Sequence, residues 1–159
     1  MTRRFLVLAA ILGLTGPAAG ETAATVTAQA WNDMLKAHAG QPLILHFWGM
    51  TCGPCQLEMP EWGKLAAERP GLPLVLVEDD PMPMPAAHVA DHLGKAGLAG
   101  VANWVLAPGD ERIRVRIDSA WAGELPYTLL VGRDGKTERI AGAADMRLVR
   151  QWLDRETTH

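Results

Sequence analysis

Three residues separate the apolar run Leu43-Ile44-Leu45-His46-Phe47-Trp48 from Cys52-Gly53-Pro54-Cys55, and a second apolar run, Leu74-Val75-Leu76-Val77, follows a helical stretch. This succession constrains the fold more than any other feature of the chain. Short apolar runs bounded by turn residues read as buried strands. A helical crossover between two of them implies parallel pairing in an α/β arrangement. The chain has two cysteines, both in this motif. Their spacing permits a small disulfide ring, and the first would sit at the N-terminus of the following helix. There, unpaired N–H groups and the helix dipole favour a thiolate. A thiolate is the species that attacks another disulfide, so the chemistry indicated is dithiol–disulfide exchange.

Residues 1–20 read as a secretory signal peptide and residues 21–159 as one domain. Arg3 and Arg4 give a basic start, Phe5 to Leu14 an apolar stretch, and Pro17-Ala18-Ala19-Gly20 the small residues of a cleavage site. The apolar stretch is short of the roughly 20 residues that span a bilayer comfortably. The alternative is an uncleaved N-terminal anchor. With no cysteine near the cut, a lipoprotein anchor is excluded. Cleavage after Gly20 would leave 139 of the 159 residues and take the formal charge from −3 to −5. A mildly acidic domain with no basic patch is unsuited to nucleic acid. Export favours disulfides in general, yet a bridge across two residues constrains almost no loop. The pair therefore reads as catalytic rather than structural.

Elsewhere, Thr27 to Lys36 has helical spacing behind a threonine cap, and Gly53 to about Arg69 reads as a helix with a kink at Pro60. Residues 79–85 form a loop leading to a helix over about Ala86–Gly97, and Asn103–Leu106 is a short strand. Arg112–Ile117 alternates basic and apolar residues, which suits either a strand or a helical turn. Leu125–Val131 and Thr137–Ile140 flank Arg133-Asp134-Gly135-Lys136, a hairpin with an Asp-Gly turn. Ala144–Arg155 reads as an amphipathic closing helix.

The run from Phe47 to Pro60, with Phe-Trp before the cysteines and Glu58-Met59-Pro60 after them, resembles the exported TlpA/ResA group of thioredoxin-family proteins. Leu125-Pro126-Tyr127-Thr128, the hairpin and the last helix resemble the second half of that signature. The resemblance spans residues 27–155 and is thin between 80 and 120. It implies a thioredoxin fold, a central mixed β-sheet flanked by helices, and a thiol:disulfide oxidoreductase. It makes Cys52 the attacking cysteine and Cys55 the resolving one. Pro126 matches the cis-proline facing the disulfide in this fold, with Leu125 as a substrate contact; the alternative is an ordinary trans proline beginning a strand.

Glu58 matches an acidic residue that ResA-like proteins use to manage protons at the site. The alternative is an exposed first-turn glutamate serving only the helix dipole. His46 stands where cytosolic thioredoxins carry a buried aspartate. It is either a neutral base for Cys55, titrating nearer neutrality than a carboxylate, or a hydrogen-bonded core residue. Trp48 is expected beside the disulfide, and Trp48, Thr51, Gly53 and Pro54 are candidate substrate contacts. Gly53-Pro54 between the cysteines is the thioredoxin pairing, and that resemblance leans toward a reductant.

The resemblance implies a periplasmic reductase acting in redox homeostasis on exported proteins, with apocytochrome c or copper-site assembly proteins as suggested substrates. A membrane electron donor is the implied partner, and no cofactor is required. The lack of an added dimerisation segment makes a monomer the expectation. Two alternatives remain: a disulfide oxidant or isomerase, and a non-enzymatic copper- or thiol-binding chaperone. The latter would use the cysteines with Met82, Met84, His88 and His92, although these residues also suit a stiff loop and a helix surface. A structural zinc site is disfavoured, because it wants four ligands.

Overall fold

A computed structural model describes residues 23–107 and 109–157; the expected signal peptide lies outside them. In chain order the elements are β1 (Ala24–Val26), α1 (Ala28–Ala37), β2 (Leu43–Trp48), α2 (Gly53–Glu68), β3 (Leu74–Glu78), α3 (Ala86–Lys95), β4 (Ala102–Leu106), α4 (Glu111–Ile117), β5 (Tyr127–Val131), β6 (Thr137–Ala141) and α5 (Met146–Thr157). The strands form one six-stranded sheet in the order β1-β4-β3-β2-β5-β6. The pairs β1–β4, β4–β3 and β3–β2 are parallel, whereas β5 runs antiparallel to β2 and to β6. This is the mixed sheet of the thioredoxin fold.

Every residue of β2 is buried because both faces of the sheet are covered. Side chains alternate along a strand. Ile44 and Trp48 accordingly join one core with Cys55, Met59 and Trp62 of α2, Val89 and Leu93 of α3, and Val149 and Trp152 of α5. Leu43, Leu45 and Phe47 join the other with Trp31 and Met34 of α1, Ile113 of α4, Trp121 and Tyr127. His46 falls on the α2 side. Parallel pairing also places the C-terminal ends of β2 and β3 together, with Trp48 opposite Glu78. The loop before Cys52 therefore borders the acidic segment Glu78-Asp79-Asp80.

The ambiguous segment over 112–117 is helical. Asp110 caps it, accepting the Ile113 N–H at 3.2 Å, and the Arg114 guanidinium reaches back to Asp79. The hairpin turn spans 132–135, closed by the Gly135 N–H on the Gly132 carbonyl at 2.9 Å. Gly135 has φ 77°, a conformation that glycine adopts without a Cβ penalty. On α2, Gly63 serves a close approach: a Cβ there would stand 1.7 Å from the Ala96 carbonyl oxygen just beyond α3.

Candidate active site

Cys52 is the N-cap of α2 and Cys55 lies in its first turn; the two sulfurs are joined in a disulfide. The Cys52 sulfur accepts the Cys55 N–H at 3.2 Å, as a cap residue does for an otherwise unpaired helix donor. Cys55 is fully buried, whereas Cys52 is partly open to solvent. The asymmetry suits an attacking sulfur outside and a resolving sulfur inside.

Pro126 follows a cis peptide bond with Leu125, as the resemblance implied, and is buried beneath a half-exposed Leu125. Leu125 packs on the same core as both cysteines. Its side chain also closes on Gly49, where a Cβ would stand 3.3 Å from Leu125 Cδ1. Thr51, Gly53 and Pro54 are exposed at the mouth. Trp48 is a correction. It packs beside the disulfide, but it is wholly buried and presents no surface to a substrate. Its indole N–H donates to Asn103 at 3.1 Å and its ring stacks on His92. The preceding backbone run, all buried strand, decides this.

Glu58 is buried, which removes the reading of an exposed first-turn glutamate. One carboxylate oxygen accepts the Trp62 indole N–H at 2.9 Å and the Ala144 N–H at 3.0 Å. The other, Oε2, is buried without a partner. Burial raises the Glu58 pKa, and the bonds from Ala144 and Trp62 oppose that rise. Neutral Glu58 would carry a proton on the side of Oε2.

His46 is fully buried, with Nδ1 3.0 Å from the Thr128 hydroxyl and Nε2 lacking a partner. Burial pushes its pKa down to about 3. The expectation that it titrates nearer neutrality than a carboxylate is thus corrected: desolvation penalises the imidazolium, and no carboxylate partner offsets it. His46 is a neutral core imidazole.

The Met and His residues read as a possible copper set sit in different surroundings. Met82 is 68% exposed, Met84 packs against the core, His88 is exposed, and His92 turns to Trp48. Among the described residues, no group of three or more His, Cys, Asp or Glu side chains could hold a metal ion.

Sequence reasoning missed Asp80, read only as part of a loop. It is buried and accepts the Met50 N–H at 2.6 Å, the Thr51 N–H at 3.0 Å and the Thr51 hydroxyl at 2.7 Å. Glu78, beside Trp48, is also buried, and its carboxyl is raised by burial and by Asp80. The available signal was positional: residues just after β3 in a β-α-β unit must lie beside the loop that ends β2.

A thioredoxin-fold domain with a buried-and-open dithiol pair at a helix N-terminus is therefore defined. The thioredoxin family model matches residues 22–90, and the chain is similar to the thiol-disulfide oxidoreductase ResA. It is 24% identical over 123 residues to the thiol-disulfide oxidoreductase ResA of Halalkalibacterium halodurans, a match covering 76% of this chain and 65% of that relative. Among solved structures, a secreted disulfide oxidoreductase of Mycobacterium tuberculosis superposes with a TM-score of 0.60 at 20% identity, covering 76% of this chain and 85% of that one. StoA of Bacillus subtilis gives 0.54 at 21% identity, covering 72% and 84%. At those identities the superpositions establish the fold. Among the described residues, no helix is long and apolar enough to cross a membrane.

Proposed function

We propose that this protein is an extracytoplasmic thiol:disulfide oxidoreductase that reduces disulfides in exported proteins. The observation that carries the reading is the Cys52–Cys55 disulfide at the N-terminus of α2, with Cys52 open and Cys55 buried. In the reduced protein the Cys52 thiolate attacks a substrate disulfide, forming a mixed disulfide and releasing one substrate thiolate. Cys55, deprotonated, then attacks the Cys52 sulfur and releases the second substrate thiolate. Two electrons pass to the substrate, and Cys52–Cys55 is left oxidised. Glu58 is the proposed acceptor of the Cys55 proton, because its buried carboxylate has an elevated pKa and an oxygen without a partner. His46, held neutral, is the proposed polar floor of the same site. Thr51, Gly53, Pro54 and Leu125 with Pro126 are the proposed substrate edge.

The similarity to ResA supports this class of activity. Exported cysteine pairs such as those of apocytochrome c or copper-site assembly proteins are the proposed substrates, and a membrane thiol donor restores the dithiol. The reduction potential tests the direction of electron flow. Equilibration of the mature protein against defined thiol–disulfide buffers should give a value near the reducing, thioredoxin end of the scale. A value well toward the oxidising end would make disulfide formation or isomerisation the function. Cys55→Ala should trap mixed disulfides with natural substrates, and Cys52→Ala should abolish exchange. Full multiple-turnover activity in Cys55→Ala would overturn the two-cysteine mechanism.

A further inference from the structure

The attacking sulfur is carried by a short loop, Gly49-Met50-Thr51, whose backbone polar groups are held from two sides. On one side, the two oxygens of Asp80 divide the donors: Oδ2 takes the Met50 N–H, and Oδ1 takes the Thr51 N–H and hydroxyl. On the other, the Gln56 amide nitrogen lies 3.1 Å from the Gly49 carbonyl oxygen and 3.3 Å from that of Met50. Gly49 O also accepts the Cys52 N–H at 3.2 Å. Gly49 leaves room for the clamp, since a Cβ would stand 3.1 Å from Asp80 Oδ1. An aspartate that is buried and hydrogen-bonded three times into one loop does more than end a strand.

We propose that Asp80, acting with Gln56 across the loop, is a positioning residue that fixes the Gly49–Thr51 backbone so that the Cys52 sulfur stays in the N-cap position of α2. There the sulfur receives the Cys55 N–H and the helix dipole, the conditions that stabilise its thiolate. The inference rests on Cys52 being the attacking thiol, and it adds what sets that thiol's reactivity. A carboxylate is required by geometry. Asparagine offers a single acceptor oxygen and would turn its NH2 toward a backbone N–H, so one of the two main-chain bonds is lost. The titratable groups on the elements around the loop are Glu78 at the end of β3, Asp79 and Asp80 just after it, His46 on β2, Glu58 on α2 and His92 on α3; Asp79 is turned to Arg114. Among the described hydrogen bonds, Asp80 alone of these joins the loop.

Two influences of Asp80 on Cys52 oppose each other and can be separated. Its charge would disfavour a thiolate nearby, whereas its clamp favours one by holding the cap. The test is the pH dependence of Cys52 alkylation by iodoacetamide in the reduced full-length mature protein, with mass mapping of the modified residue. Asp80→Asn should shift the midpoint upward and slow attack on a small disulfide about tenfold at neutral pH, the scale of one charge-assisted hydrogen bond. Gln56→Ala changes no charge and should shift the midpoint in the same direction. Thr51→Val, which deletes one of the three bonds, should give a smaller upward shift, and Thr51→Ser a smaller one still. A downward shift with faster attack in Asp80→Asn would show that charge repulsion governs, overturning the positioning role. An unchanged midpoint in both Asp80→Asn and Gln56→Ala would overturn it as well. First alkylation at Cys55 rather than Cys52 in the wild type would instead overturn the reading of the attacking cysteine, and this inference with it.

Discussion

The rings of His46 and Trp62 lie with centroids 4.8 Å apart, so that Trp62 touches the histidine on one side and donates its indole N–H to Glu58 on the other. His46 Nε2 and Glu58 Oε2 are both buried and unpartnered. Two titratable groups thus meet one tryptophan beneath the reactive helix, and burial drives both toward their neutral forms, lowering the pKa of His46 and raising that of Glu58.

Glu58→Gln should preserve the fold and impair exchange. A glutamine oxygen can accept both the Trp62 and Ala144 N–H groups, leaving its NH2 where Oε2 stood. Because the folded-state pKa of Glu58 is raised, its stabilising contribution is complete below the unfolded value and is lost as pH rises through the folded one. The variant should therefore gain in urea stability relative to wild type as pH rises across that window. If Glu58 takes the Cys55 proton, resolution of the mixed disulfide should slow by about a hundredfold, within the usual range for a general base. Stopped-flow decay of a preformed mixed disulfide measures it.

His46 carries the opposite linkage. Its folded pKa of about 3 lies below its ordinary value near 6.5. The unfolded chain binds the proton first, so stability present above pH 6.5 is lost as pH falls toward 3. His46→Asn removes that group, and its difference in unfolding free energy from wild type should shift in its favour over this interval. Urea titrations at pH 7.5, 5.5 and 4 compare the two proteins directly, and a constant difference would show that His46 is not desolvated as described.

The central unit was legible in the sequence because β2 and β3 are buried on both faces and read as unbroken apolar runs. The two cysteines and Pro126 were legible because their chemistry is local to a motif. Arg112–Ile117 was ambiguous for a physical reason: alternating Arg and Ile or Val mimics a strand, and the Asp110 cap with the Arg114–Asp79 pair decides for helix. The three-residue strand β1, with only Val26 buried, carries too little pattern to be seen. Asp80 escaped notice because its partners lie 29 and 30 residues away, joined to it by strand pairing alone. His46 was legible in position and misleading in its titration, since sequence does not report how completely a group is desolvated.

The Asp79–Arg114 pair should behave as a buried ion pair. The guanidinium makes two bonds to the carboxylate, at 2.5 and 3.1 Å, and the two side chains are 14% and 2% exposed for Arg114 and Asp79 respectively. Asp79→Ala should cost about 3 kcal/mol, mostly from the stranded arginine. The double variant Asp79→Leu, Arg114→Met should recover most of that loss, because an apolar pair avoids the desolvation of both charges. A double-mutant cycle by urea denaturation checks both statements.

Gly63 makes the last prediction, because it fixes how closely α2 and the end of α3 approach. A methyl group at this position would overlap the Ala96 carbonyl oxygen at 1.7 Å, and that neighbour is backbone rather than a flexible side-chain tip. In an open helix, alanine for glycine would be stabilising by about 1 kcal/mol. Here the overlap reverses the sign, and Gly63→Ala should cost about 2 kcal/mol as α3 is pushed from α2. The displaced segment includes Leu98, Leu93 and Val89, which pack with Trp48 and Cys55 in one core. The variant should consequently lose cooperativity near the site as well as stability, read as faster amide exchange in α3 and early in α2 at a pH where wild type is protected. Unchanged exchange with raised stability would mean that the two helices are free to separate, and that the dithiol does not depend on their contact.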